Sequence, residues 1–146
     1  LISHNIPVVV PAGDDGDKKR LPWPACLPGV ISVGATDQDD RVIRQSNSSK
    51  QLTLLAPGAD VRSATTGDRR DPSPEDFTTR TGTYAAAAHV TGAIALFKQQ
   101  HPRATTARIT KMLRDTGIRT TDATANRTTP RLRVDQLLNA PYAGGG

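Results

Sequence analysis

The chain has 146 residues, 36% of them apolar, only five aromatics (two Phe, two Tyr, one Trp) and a net charge of +5. That length suffices for one domain burying roughly two-thirds of its surface around a Val, Ile, Leu and Ala core. No apolar run reaches about 18 residues, which excludes a membrane-spanning helix, and the single Cys26 excludes an internal disulfide. Cys26 reads as a half-buried thiol, with a partner cysteine in a missing segment or another chain as the alternative. The sequence starts at Leu1 without a basic stretch leading into an apolar one, so no signal peptide is visible and localisation stays open.

Ile6-Pro7-Val8-Val9-Val10 is a β-branched run that predicts a buried strand ending at Pro11-Ala12-Gly13. Residues 14–28 are polar and Pro-rich and read as a loop. Val30–Gly34, Leu52–Ala56 and Val61–Ser63 predict further strands, separated by an acidic turn at Asp37–Asp40 and a polar one at Ser46–Ser49. The charged, Pro-containing segment 67–75 reads as an exposed loop. From Thr83 to Gln100 apolar residues occupy nearly every side of the helical wheel until Lys98. A helix apolar all round is a buried helix. Thr105 suits an N-cap, Ile109, Met112 and Leu113 form an apolar stripe, and Gly117 can terminate a second helix. Val134–Asn139 predicts a last short helix, and the glycines of 141–146 a disordered tail after a domain of residues 1–140. Buried strands interleaved with helices indicate an α/β layered fold with a mostly parallel sheet.

Two charge patterns suggest ligands. Between His101 and Arg133 eight Lys and Arg residues face Asp115 and Asp122 alone. This basic stretch can attract an acidic partner, but it holds no aromatic to stack on a base, which argues against nucleic acid as the partner. Asp37, Asp39 and Asp40 supply hard oxygen ligands without the Gly and terminal Glu of an EF-hand loop; they read as a solvated turn. No metal or cofactor is expected.

Five collinear motifs carry a family resemblance: Val8-Val9-Val10-Pro11-Ala12-Gly13, Pro24–Ala35, Ser46-Asn47, Leu54-Leu55-Ala56-Pro57-Gly58, and Gly82-Thr83-Tyr84-Ala85-Ala86-Ala87-Ala88-His89-Val90-Thr91-Gly92-Ala93. In order and spacing the chain resembles the C-terminal half of the catalytic domain of subtilisin-like serine peptidases. The resemblance implies a three-layer subtilisin-like α/β fold, its mostly parallel sheet flanked by helices, present as its C-terminal portion. It also implies a serine nucleophile at the start of the long helix, a histidine base, an orienting aspartate and an asparagine that helps stabilise the oxyanion.

The sequence departs from that pattern at three places. Tyr84 falls on the serine of Gly-Thr-Ser-Met-Ala-Ala-Pro-His-Val, with Ala85 and Ala88 where the family has Met and Pro. A phenol oxygen lies several ångströms beyond a serine Oγ and has a pKa near 10. A one-residue slip would put Thr83 there instead. Asp14 falls on the oxyanion asparagine; the alternative is that Asp14-Asp15-Gly16 is an ordinary turn. An ionised carboxylate repels an oxyanion, and only a protonated one donates. The Asp and His motifs, which the family carries upstream, are not among these residues. His89 matches a structural position of the helix motif; His101 lies at a helix end and His4 near the first residue. The expected function is that of a family member inactive as this chain, with Pro11, Ala12 and Gly13 as a wall of the substrate cleft. The alternative is a non-catalytic module binding a peptide or an acidic partner. Half a sheet leaves an open edge, so association with the missing N-terminal half or with itself is expected.

Overall fold

A computed structural model describes residues 1–65 and 77–142. The loop expected over 67–75 and the terminal glycines lie outside the described residues. Following a 3-10 turn at Ile2–His4, the elements are β1 (Val9–Pro11), β2 (Ile31–Thr36), β3 (Leu54–Pro57), β4 (Val61–Ala64), β5 (Phe77–Arg80), α1 (Thr83–Gln100), α2 (Thr106–Thr116), β6 (Ile118–Asp122), β7 (Arg127–Arg131) and α3 (Val134–Asn139). The main sheet runs β1-β2-β3-β7-β6. Its first four strands are parallel neighbours, and β6 and β7 form an antiparallel hairpin on its edge. β4 and β5 pair separately as an antiparallel ribbon.

The period-two alternation of strand side chains divides the core. Ile31, Val33 and Ala35 of β2 and Leu54 and Ala56 of β3 pack with Ala86, Val90 and Phe97 of α1, Ile109 and Leu113 of α2, and Leu137 of α3. Leu55 and Val10 point the other way and join Ala12, Leu21, Ala25 and Leu52 from the connecting segments. Because both faces are covered, β2 is buried at every position, which is why its sequence reads as a continuous apolar and small-residue run.

Element boundaries follow local chemistry. Pairing of β1 begins at Val9, later than the expected Ile6, because Pro7 brings no N–H to a ladder. Thr105 Oγ1 accepts the Arg108 N–H at 3.2 Å, so α2 starts at its expected cap. Gly117 does follow α2, but its φ of −71° is not left-handed. Glycine is needed there because a Cβ would stand 2.8 Å from Pro130 Cβ and 2.9 Å from Arg131 O. At the end of α1, His101 and Tyr142 stack with 4.1 Å between centroids, and Phe97 meets the first ring tilted and the second edge-on.

Two expectations need correction. The basic region 101–133 includes the β6–β7 hairpin, which the sequence reading missed because its Arg- and Thr-rich strands lack hydrophobic alternation. The second concerns α1, which matches the expected span but is not buried all round. Tyr84, Ala88, His89, Thr91, Gly92, Ala95 and Leu96 are exposed, since no element among the described residues covers that side.

Candidate functional site

The site lies beyond the carboxyl ends of the parallel strands, where open α/β sheets place their ligands. Three segments meet there: the loop after β1, the turn after β3 and the start of α1. The last two are joined through glycine. Gly58 N–H donates to Thr36 O at 2.9 Å and Gly82 N–H donates to Gly58 O at 2.8 Å. A Cβ on Gly58 would lie 2.7 Å from both Ala35 Cβ and Gly82 O, so only glycine lets the turn pass between strand and helix.

Asn47 holds the loop after β1. Its side chain, 1% exposed, donates Nδ2 to Ala12 O at 3.0 Å and accepts the Asp17 N–H at 2.8 Å. Gly13, at φ +95°, passes so close that a Cβ would come 2.5 Å from Asn47 Nδ2. Asp17 then closes the turn by accepting the Lys19 and Arg20 N–H groups, which together with the Arg20 guanidinium hold its carboxyl below the usual range. Lys18 donates to Ser46 O at 2.7 Å, and its ammonium stands 3.4 Å from the buried Asp122 Oδ2, an ion pair without an aligned hydrogen bond.

The loop and α1 are clasped through Thr83. Gly13 N–H donates to Thr83 Oγ1 at 3.1 Å; Asp14 Oδ1 accepts the Thr83 N–H at 2.9 Å and Oδ2 accepts the Thr83 hydroxyl at 3.2 Å. The Asp14 carboxylate therefore caps the positive end of the α1 dipole. Thr83 is completely buried and its hydroxyl is engaged on both sides, which removes it as a nucleophile in the slipped register. Tyr84 is half exposed; its ring folds back against Gly82, and its Oη donates to Thr81 O at 3.4 Å.

The structure brings Asp14 and Gly13 to the start of α1 beside Tyr84, but no histidine completes a relay there. His89 lies on the same open side of α1, its Nδ1 3.1 Å from Ala85 O. His101 closes the far end of the 18-residue helix, and His4 pairs with Ser3. Pro11 is exposed and Gly13 half-buried, whereas Ala12 is completely buried and can offer a ligand only its backbone. The sequence does not disclose that Thr83 and Asn47 hold the loop after β1, although both stand inside the quoted motifs.

The carboxylates of the acidic turn are engaged within the turn and by β7. Asp37 Oδ1 accepts the Asp39 and Arg41 N–H groups, Asp39 pairs with Arg41, and Asp40 with Arg131 at 2.7 Å. No group of three or more His, Cys, Asp or Glu side chains converges among the described residues.

Comparison with known proteins places this architecture. The chain matches the subtilase family, Peptidase_S8, over residues 2–137. It is 37% identical over 102 residues to an intracellular serine protease of Paenibacillus polymyxa, covering 67% of this chain and 29% of that protein. It is also 37% identical over 112 residues to an extracellular serine proteinase of Thermus sp. strain Rt41A, covering 77% and 26%. Among solved structures, a protease from Pseudoalteromonas arctica superposes with a TM-score of 0.83 at 28% identity, covering 94% of this chain and 43% of that one. The self-cleaved protease domain of PatA gives 0.75 at 26%, covering 93% and 50%. The chain thus spans under a third of those curated relatives and half or less of those solved chains. With its mostly parallel sheet flanked by helices and its motifs in register, the chain belongs to the subtilase family.

Proposed function

We propose that this chain is the C-terminal portion of a subtilisin-like serine peptidase domain and that, as it stands, it does not hydrolyse peptides. The observation that carries the reading is the clasp at the head of α1, where the Asp14 carboxylate takes the Thr83 N–H and hydroxyl. Acyl transfer needs donors aimed at the oxygen that becomes negative; an anion at that place opposes it, and losing one such donor costs about 10²–10³ in rate. Tyr84 stands where the family has its serine, its phenol turned back to Thr81. Loss of the serine or the histidine alone costs a subtilisin about 10⁶ in kcat.

The alternative of a module that binds an acidic partner has less support. Arg131, Arg133 and Lys111 already pair with Asp40, Asp135 and Asp115. Binding of an extended peptide along Pro11–Gly13 remains compatible with the geometry.

Turnover of a fluorogenic peptide library by the purified chain tests the proposal. The expected rate equals that of buffer and of Tyr84→Phe. Turnover that Tyr84→Phe abolishes would overturn it.

A further inference from the structure

We propose that a basic pocket outside the site already described binds a tetrahedral oxyanion of the phosphate or sulfate kind. The pocket encloses about 430 Å³ and is lined by Lys18 and Lys19 of the loop after β1, Ser49, Lys50 and Gln51 of the turn before β3, and Arg127 at the start of β7. Three separate segments thus bring four cations to one space. None of the clasp residues Gly13, Asp14 and Thr83 lines it, so the proposal does not depend on the peptidase reading.

The pocket is short of negative charge. Of its four cations only Lys18 has a carboxylate partner, Asp122 at 3.4 Å, and its ammonium also donates to Ser46 O. Among the described residues no carboxylate pairs with Lys19, Lys50 or Arg127. Asp17, beside them in the chain, is turned to Arg20 and to the Lys19 and Arg20 N–H groups. Arg127 Nε is buried with no acceptor among the described residues, and a buried donor costs free energy until something accepts from it. Ser49, 3% exposed, accepts the Gln51 N–H at 3.0 Å, which leaves its hydroxyl proton to donate. Like charges around a concave wall repel one another and focus their field on an incoming anion.

The donor set indicates the shape of that anion. Lysine ammonium groups are compact point charges and a guanidinium is a planar fork. With the Ser49 hydroxyl they converge from more directions than the two oxygens of a flat carboxylate can use, whereas phosphate and sulfate present oxygens all round. Charge-assisted hydrogen bonds of this kind are the strong ones. No aromatic side chain lines the pocket, so it offers no platform for a nucleic-acid base.

The probe is sodium phosphate, and in a second arm sodium sulfate, titrated into the 146-residue chain at an ionic strength held constant with sodium chloride. Backbone amide NMR shifts should saturate at residues 18–19, 49–51 and 127 with at least one oxyanion and not with chloride. The arm that saturates at the lower concentration names the preferred anion. The double variant Lys19→Gln, Lys50→Gln removes two exposed cations without carboxylate partners, so the fold is kept while binding weakens by about tenfold. Lys111→Gln, which removes an ammonium paired with Asp115, should leave the titration unchanged. Melting gives a second readout. Both oxyanions stabilise proteins in general by exclusion from their surface, so the site shows as a larger rise in Tm for the parent than for the double variant. Shifts that follow ionic strength alone, saturation that the double variant keeps, or an equal loss in Lys111→Gln would each overturn the proposal.

Discussion

Removing the Asp14 carboxylate tests whether this residue serves the architecture of α1. In Asp14→Ala the Thr83 N–H and hydroxyl each lose their acceptor. Loss of a helix cap costs about 0.5–2 kcal/mol, and loss of a negative charge at an exposed helix N-terminus about 0.3–1 kcal/mol. Asp14 is itself exposed, which keeps the electrostatic part small, so the sum is about 1–2 kcal/mol. For a chain of this size that lowers Tm by about 3–8 °C. Asp14→Asn retains an acceptor for the Thr83 N–H and loses only the charge, so its cost is about 0.3–1 kcal/mol and shrinks in high salt. Urea unfolding followed by circular dichroism, with the m-value checked for constancy, gives both numbers. Asp14→Ala within 0.3 kcal/mol of the parent, or Asp14→Asn costing more than Asp14→Ala, would refute the capping role.

Other perturbations probe the rest of the framework. Gly58→Ala should destabilise by about 1–3 kcal/mol, seen as an earlier urea midpoint, because its Cβ must displace the Gly82 carbonyl and Ala35. Phe97→Ala, at a completely buried position, should cost about 3–5 kcal/mol in the same measurement. Lys18→Met leaves the Asp122 carboxylate, of which the side chain is 7% exposed, without its counter-ion and should cost about 3 kcal/mol. The lowered pKa of Asp17 stabilises the fold at pH above the ordinary aspartate range. That contribution disappears as pH falls through the depressed value in the folded state. Asp17→Asn should therefore flatten the fall in Tm as pH drops through and below the ordinary aspartate range, and an unchanged profile would count against the turn it closes.

The α/β class, the spans of α1 and α3 and the β2 and β3 strands were legible because burial writes apolar runs and helical periodicity into the sequence. The β5 strand and the β6–β7 hairpin were not, since Thr and Arg side chains on exposed strands carry no such pattern. In the site, residue identities were legible and roles less so. The sequence places Asp14 at the family's oxyanion position or in an ordinary turn, and gives no sign that its carboxylate also bonds across to a helix 69 residues later. Thr83, which a one-residue slip would make the nucleophile, is a buried clasp. Such long-range pairings leave no local signature. The open side of α1 was invisible for a related reason: apolar periodicity reports that a helix is to be covered and says nothing of which chain covers it.

On the proposed reading this chain keeps the scaffold of a subtilase site without its nucleophile. Intact-mass measurement after incubation with a fluorophosphonate, which phosphonylates activated hydroxyls at a peptidase oxyanion site, tests it most directly. The mass should stay unchanged while an active subtilisin is labelled completely under the same conditions. A stoichiometric adduct mapped to Tyr84 or Thr83 would contradict it.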